Sequence, residues 1–321
     1  MIYDIIGDIH GHASDLIGLL EKLGYTHNGT SYTPPDGHRA IFIGDLIDRG
    51  EQEVKTLDIV FAMLDAGVAD IVMGNHEYNA LAYATPNATK NKLDSAKEYL
   101  RSHNHTHNHQ HKAFLTEIPF GSPEHKHWLQ RFYEIPLWLE TEHACFVHAC
   151  WDTDAMATLK PLLTDDNRLT PDALQATGQK NSPEYDALER VLKGVEMPLP
   201  NGLSFTDKDG TVRHNMRMRW WEDSVANGDA NSVHLVHDIA RASRLSLSQI
   251  PKDTTVTGVD FTLNTDKPVF IGHYWMQGEP VPLSKQVVCT DYSVAGKGYM
   301  TAYRFDTDNP SLDKANFVQY R

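Results

Sequence analysis

Ala40-Ile41-Phe42-Ile43-Gly44-Asp45-Leu46-Ile47-Asp48-Arg49-Gly50 decides how this 321-residue chain is organised. Its first four residues form an apolar, β-branched and aromatic run, the pattern of a buried strand. Two carboxylates and a guanidinium follow within five residues, where the strand should give way to a loop. In α/β sheets ligands gather beyond the carboxyl ends of strands, and an unpaired charge is costly to bury there. By itself the stretch also fits a turn closed by a surface ion pair. Repetition argues otherwise. Two apolar residues, a glycine and then Asp, Asn or His recur as Ile5-Ile6-Gly7-Asp8, Phe42-Ile43-Gly44-Asp45, Val72-Met73-Gly74-Asn75 and Phe270-Ile271-Gly272-His273. Phe146-Val147-His148 repeats the pattern without the glycine. The expected structure is a set of buried strands ending at one edge, with glycines allowing sharp turns and close backbone approach.

Helical spacing fills the gaps between the first copies. Leu16, Leu19, Leu20 and Leu23 predict a helix with Ser14 as N-cap and Gly24 as stop. Val54, Leu57, Phe61 and Leu64 predict a second helix ending before Gly67. Strand–helix–strand–helix–strand over the first 75 residues implies right-handed crossovers and parallel strands. Residues 78–142 read as a mostly helical insertion. Inside it, His103, His105, His107, His109 and His111 alternate; with no Cys, Asp or Glu among them, a solvated loop or helix surface is expected. A second, cap-like insertion spans 151–265. There Asp207-Lys208-Asp209-Gly210 predicts a hairpin loop between Leu203-Ser204-Phe205 and Thr211-Val212-Arg213. Continued as a strand, Arg213, Arg217 and Arg219 share one face, and Met216, Met218 and Trp220 the other. Gln286–Cys289 and Tyr299–Tyr303 read as strands closing a second sheet, followed by a short polar tail. The whole is expected to form one domain over 1–321.

Composition narrows the class. Hydrophobic residues make up 40% and charged residues 22% of the chain, ordinary for a globular protein. No apolar run approaches a bilayer span. Cys145, Cys150 and Cys289 are too few for a disulfide framework; with no leader-like start, a cytoplasmic location is the expectation. A formal net charge of −14 argues against a broad nucleic-acid or membrane surface. It leaves room for a phosphate-bearing substrate at a site made locally positive by metal ions.

The polar residues at the strand ends are Asp8, His10, Asp45, Asp48, Arg49, Asn75, His76, His148 and His273. Carboxylates, imidazoles and a neutral oxygen donor on separate rigid elements suit divalent ions, and a set without thiolates favours Mn²⁺, Fe or Zn²⁺. Singly each has an ordinary explanation; His148, for one, fits a satisfied core histidine. Their shared placement at five strand ends points to a metal site.

These motifs, Gly7-Asp8-Ile9-His10-Gly11, Gly44-Asp45-x-x-Asp48-Arg49-Gly50, Gly74-Asn75-His76-Glu77, Val147-His148-Ala149 and Gly272-His273, resemble those of the calcineurin-like metallophosphoesterases. The resemblance is strongest to the branch that holds the phosphoprotein phosphatases and the symmetrical diadenosine tetraphosphatases. It covers residues 1–80 and patches at 143–150 and 268–305. It implies a metallo-dependent phosphatase-like fold of the mixed α/β (α+β) class, with two packed β-sheets flanked by helices and a long insertion.

The resemblance also implies two divalent ions: Asp8, His10 and Asp45 would hold the first, and Asp45, Asn75, His148 and His273 the second. Arg49 would bind phosphate oxygens, and His76, oriented by Asp48, would protonate the leaving group. The implied reaction is hydrolysis of phosphate monoesters by a metal-bridged hydroxide, with a phosphoprotein as the leading substrate. A dinucleoside-polyphosphate hydrolase, a small-molecule phosphatase and a non-catalytic binding module are the alternatives. Met73 replaces the Arg common before Gly-Asn-His in phosphoprotein phosphatases, and Ala149-Cys150-Trp151 replaces Ala-Gly; both touch the substrate side. Arg217, Arg219 and Tyr274 are candidate substrate contacts, Tyr274 with Trp275 as a stacking surface; the plainer expectation is solvated arginines on an edge strand and rim aromatics that pack against the insertion.

Overall fold

The computed structural model describes residues 1–89, 98–206, 212–226, 231–236 and 250–321. β1 (Ile2–Ile6) leads into α1 (Ala13–Leu23), the hairpin β2 (Thr26–His27) and β3 (Tyr32–Thr33), β4 (His38–Phe42), α2 (Glu53–Asp65), β5 (Ala69–Ile71) and α3 (Asn75–Ala84). Then come α4 (His105–Gln110), α5 (Lys112–Glu117), α6 (Pro123–Tyr133), β6 (Trp138–Glu140) and β7 (Cys145–Val147). The long segment that follows holds α7 (Thr153–Leu159), α8 (Pro171–Thr177), α9 (Pro183–Lys193), β8 (Glu196–Pro198), β9 (Phe205–Thr206), β10 (Val212–Arg213), β11 (Asn215–Arg217), α10 (Asp223–Ala226), β12 (Ser232–His234) and β13 (Thr255–Thr257). β14 (Val269–Ile271), β15 (Val287–Cys289), β16 (Met300–Asp306) and β17 (Phe317–Tyr320) complete the chain.

The architecture is mixed α/β: two sheets packed face to face with helices outside. The first sheet runs β17-β16-β1-β4-β5 and the second β15-β14-β7-β6. β1, β4 and β5 are parallel, in the order the two amphipathic helices demand. Strand periodicity sorts the side chains. Ile5, Ile41, Phe146, Phe270, Val288, Tyr303 and Phe305 share the core between the sheets, while Ile6, Ala40, Phe42, Val147 and Ile271 face the helices. Phe270 of the second sheet meets Phe305 of the first at 5.1 Å between ring centres.

Four expectations need correction. Met300–Asp306 does not close the second sheet. It pairs antiparallel with β1 in the first, because its alternation puts Tyr303 and Phe305 inside the sandwich and Met300 and Ala302 under the helices. The polar tail contains β17, which pairs with β16. Its Tyr320 ring fills the space beside Gly18, where an added Cβ would lie 2.1 Å from the ring. Ser14 is not an N-cap: the turn at His10 and Gly11, both with positive φ, starts α1 at Ala13, and the Ser14 N–H takes the Gln52 side chain instead. Finally, the histidine tract is not wholly solvated. His103 is sandwiched between Tyr83 and Tyr99, and His111 is buried. Gly24 does terminate α1, in the left-handed region at φ 95°.

In the 151–265 segment, β9 pairs antiparallel with β10, Val212 opposite Thr206 and Arg213 opposite Phe205; the expected loop, 207–210, and Thr211 lie outside the described residues. The Arg/Met alternation persists into β11 and beyond, with Met216, Met218 and Trp220 buried and Arg217 and Arg219 half-buried. Trp220 anchors the segment to the sheet edge by donating to the Ala149 carbonyl at 3.2 Å and the Tyr274 hydroxyl at 2.9 Å. Cys145, Cys150 and Cys289 are free and buried. Among the described residues no helix is long and apolar enough to cross a membrane.

His125 in α6 gives the fold a pH dependence. It is 2% exposed, packs beside Phe114 and Phe120, and its Nδ1 accepts the Gly121 N–H, so the folded chain holds it neutral. Burial first, and then His111, push its pKa from 6.5 down to about 4. The unfolded chain therefore binds the extra proton first, so this contribution is complete above pH 6.5 and is lost as pH falls toward about 4. His125→Phe should reduce the loss of stability between neutral pH and pH ~4.5 by about 1–2 kcal/mol, read by urea denaturation at each pH. An unchanged acid slope would contradict this placement.

Candidate metal centre

The strand exits converge. Asp8 and His10 follow β1, Asp45, Asp48 and Arg49 follow β4, Asn75 and His76 open α3 after β5, His148 follows β7 and His273 follows β14. All but Arg49 are buried. The backbone is bent hard to bring them together: His10, Asp45, Asp48, Arg49 and His273 all have φ between 50° and 84°. Such left-handed non-glycine residues cost about 1–3 kcal/mol each and concentrate where side-chain aim matters more than local ease. The glycine signature has a steric cause. An added Cβ on Gly44 would lie 2.3 Å from the Gly74 nitrogen, and one on Gly272 2.2 Å from an Asp8 carboxylate oxygen.

Among the described residues, two groups of potential ligand atoms share Asp45. In each, the atoms lie within 4.8 Å of one another: His10, Asp45 and His76 in the first, Asp45, His148 and His273 in the second. Asp8 adjoins both, its carboxylate accepting the His273 N–H at 3.1 Å and lying 3.9 Å from His10 Nε2. The chemistry of the donors fits divalent cations. His10 Nδ1 lies 3.0 Å from the Ile47 carbonyl and His148 Nδ1 2.6 Å from the Ile43 carbonyl. A carbonyl only accepts, so Nδ1 carries a proton in both rings and Nε2 is left facing inward, where a cation can take the place of any proton on it. The Nε2 atoms of His10, His148 and His273 and Oδ1 of Asn75 are all buried without a hydrogen-bond partner. Four orphaned buried donors around two carboxylates would be a heavy cost in a purely structural core.

Electrostatics agree. Burial, reinforced by neighbouring cations, drives His10 and His273 well below the ordinary histidine range, so both are neutral, as ligands must be. Burial alone would raise the Asp45 carboxyl, but His148, His76 and His10 outweigh it and hold Asp45 well below the usual range. Burial likewise opposes charge on His148, yet Asp45, 3.4 Å away, draws its pKa up to about 10. Asp45 is thus an anion that gathers positive charge.

Around this centre, His76 Nδ1 meets Asp48 Oδ2 at 2.6 Å, and its N–H donates to Asp45 Oδ1 at 2.9 Å. His76 Nε2 is 3.9 Å from Asp45 Oδ2, so its position suits a ligand as well as the expected proton donor. Arg49 is exposed and lies over the Trp275 ring, its Cζ 4.4 Å from the ring centre. The backbone N–H of Trp275 is fixed in turn by Asp291. Arg217 lies close enough to His273 to oppose its protonation, and its Nε is buried without a hydrogen bond. Arg219 is half-buried on the same segment. Tyr274 takes the packing role against the insertion and not the candidate role of a stacking substrate contact. It has no exposed area, its hydroxyl donates to the Ala149 carbonyl and accepts from Trp220, and Trp221 packs against its ring.

Four further residues support the site and were not singled out from sequence. Glu77 accepts the backbone N–H groups of Asp45, Leu46 and Gly74 within 3.0 Å and ties two strand exits together. Asp291 follows β15 as Asp8 follows β1, which is the signal that could have found it. Glu53 receives the Asp48 N–H at 2.8 Å, and His111 contacts the other side of the Asp48 carboxylate. Glu77→Gln should cost about 2–4 kcal/mol, because one acceptor becomes an NH₂ facing buried N–H groups. Thermal or urea unfolding checks it; a loss within error would mean the exits hold without this tie.

Comparison with known proteins bears on the same residues. The calcineurin-like phosphoesterase family model matches residues 1–169. The asymmetrical bis(5'-nucleosyl)-tetraphosphatase PrpE of Geobacillus thermodenitrificans is 47% identical over 76 residues, 24% of this chain and 31% of that protein. The Bacillus subtilis protein of the same name is 36% identical over 90 residues, 28% of this chain and 37% of that one. Both alignments span about a third of the relatives' length. A cold-active protein tyrosine phosphatase structure superposes with a TM-score of 0.50 at 15% identity, covering 99% of this chain and 78% of that one, which speaks to fold alone. With the family model matched over residues 1–169 of 321, this chain belongs to the calcineurin-like phosphoesterases.

Proposed function

We propose that this protein is a metal-dependent phosphoesterase that hydrolyses phosphate monoesters. The observation that carries the reading is the pair of ligand groups sharing Asp45, together with buried donor atoms on His10, Asn75, His148 and His273 that have no hydrogen-bond partner. Asp8, His10 and Asp45 would hold one divalent ion and Asp45, Asn75, His148 and His273 a second; Mn²⁺ suits the mixed N/O set best, with Fe or Zn²⁺ next. A bound pair of such ions supplies an ionised water near neutral pH and neutralises the phosphoryl oxygens.

The chain's own groups do the rest. Arg49 offers a planar fork to phosphate oxygens, its approach steadied by the Trp275 face. His76, its Nδ1 held by Asp48, presents Nε2 to the leaving oxygen and delivers a proton there. Arg217, and with it Arg219, would extend phosphate contact from the 151–265 segment, which we assign the role of a cap over the site.

A phosphoprotein is the leading substrate. A second reading, a dinucleoside polyphosphate, is favoured by the bis(5'-nucleosyl)-tetraphosphatase activity for which the relatives are named. The test is turnover, with Mn²⁺, of p-nitrophenyl phosphate, phosphoserine and phosphotyrosine peptides, and diadenosine tetraphosphate. Dominant phosphopeptide cleavage supports the first reading. Dominant cleavage of the tetraphosphate, to ATP plus AMP or to two ADP, selects the second. No turnover with Mn²⁺, Fe²⁺ or Zn²⁺ overturns both.

A further inference from the structure

The Asp48 carboxylate has two imidazole partners. Oδ2 meets His76 Nδ1 at 2.6 Å, and Oδ1 meets His111 Nδ1 at 2.9 Å. Asp48 itself stands at φ 70°, with its N–H fixed by Glu53. A carboxylate held by one hydrogen bond can still swing about its Cβ–Cγ bond. One held at both oxygens cannot, and its plane then sets the plane of the His76 ring. Because Asp48 is an acceptor only, His111 must carry its proton on Nδ1. Its Nε2 is buried with no hydrogen-bond partner, so nothing else competes for the ring.

The route by which His111 arrives is built. It lies at the junction of α4 and α5, 4% exposed, with its ring stacked on Phe114 at 4.9 Å and against Tyr83 at 5.3 Å. Upstream, His103 is clamped between Tyr83 at 3.8 Å and Tyr99 at 4.1 Å, and its Nε2 lies 2.8 Å from the Tyr83 carbonyl. His107 Nδ1 meets the Ser102 carbonyl at 2.7 Å, and Asn104 caps α4 through the His107 N–H. Two of the alternating histidines, His103 and His107, thus serve as staples and His111 reaches the site, whereas His105 and His109 stay exposed. The tract that looked like a solvated run is the arm that delivers a ring to Asp48.

We propose that His111 is a positioning residue for the proton donor: by holding the second oxygen of Asp48 it aims His76 at the leaving oxygen. This rests on the phosphoesterase reading for its catalytic consequence, but not for its geometry. Two substitutions separate the donor from the ring. His111→Phe keeps the aromatic packing on Phe114 and removes the hydrogen bond. His111→Asn restores an N–H donor close to the Nδ1 position without the ring.

The experiment has a spectroscopic and a kinetic arm. In ¹⁵N-histidine-labelled, metal-loaded protein, the His76 Nδ1–H resonance should be sharp and low-field in wild type. It should broaden or vanish in His111→Phe and return in His111→Asn. In turnover, His111→Phe should lower kcat on an alkyl phosphate by about tenfold or more, the scale of lost outer-shell partners. KM should hold, and the change on 2,4-dinitrophenyl phosphate should stay below about twofold, since that leaving group needs no proton. His111→Asn should recover most of the alkyl rate, with metal content equal in all three proteins. An unmoved His76 resonance in His111→Phe, or equal rate loss on both substrates, would overturn the proposal. A moved resonance in a protein that cleaves no phosphoester would uphold the positioning role and reject the phosphoesterase reading.

Discussion

Asp45→Asn should remove phosphoesterase activity almost entirely, lowering kcat/KM on the order of 10⁴-fold, because bound divalent ions take water from pKa 15.7 to about 7. The substitution is nearly isosteric and leaves an amide oxygen able to accept the His76 backbone N–H now held by Oδ1. What it removes is the negative charge that His10, His76 and His148 surround. Asp45 is also the one member common to both ligand groups, so its neutral analogue weakens both at once. Steady-state kinetics with saturating Mn²⁺, beside a thermal melt showing a folded variant, makes the comparison. A folded variant within tenfold of wild type would mean that Asp45 does not join the two groups.

His76→Asn should behave differently. The loss on an alkyl phosphate should reach about 10²–10⁴-fold, the usual worth of a positioned general acid. The loss on an activated aryl phosphate should be far smaller, and the metal content should not change. His76 earns this separate treatment because its Nδ1 is engaged by Asp48, the arrangement that orients a proton carrier. The structure also puts its Nε2 3.9 Å from Asp45 Oδ2, within the first ligand group. Metal analysis separates the two roles: a variant that loses an ion, or slows equally on both substrates, identifies His76 as a ligand instead.

Much of this was legible in the chain because the site is local to strand ends. Each exit carries its own short motif, so reading Gly44 to Gly50 as one of several equivalent exits was enough to group Asp8, Asp45, Asn75, His148 and His273, which the structure brings together. The parallel order of β1, β4 and β5 followed for the same reason, since the helices between them fix the crossovers.

What escaped depended on partners far away in sequence. Met300–Asp306 has the same alternation whichever sheet it joins, and only the open side of β1 decides. Tyr274 follows a predicted ligand, and nothing in Gly272-His273-Tyr274-Trp275 shows that Trp220 and Ala149 will close over it. His111 sits in a tract whose even spacing resembles a solvated surface. Its burial comes from Phe114 and Tyr83, and its function from a carboxylate 63 positions earlier. Glu77 was inside a recognised motif, yet its role is to accept three backbone N–H groups, which no side-chain pattern reveals.

Two ligand groups share the one carboxylate of Asp45. Metal content per chain, measured by inductively coupled plasma mass spectrometry after Mn²⁺ loading and gel filtration, tests it most directly. Two ions are expected in wild type, one in His10→Ala, one in His148→Ala and none in Asp45→Asn. A single ion in wild type, or two retained in Asp45→Asn, would contradict it.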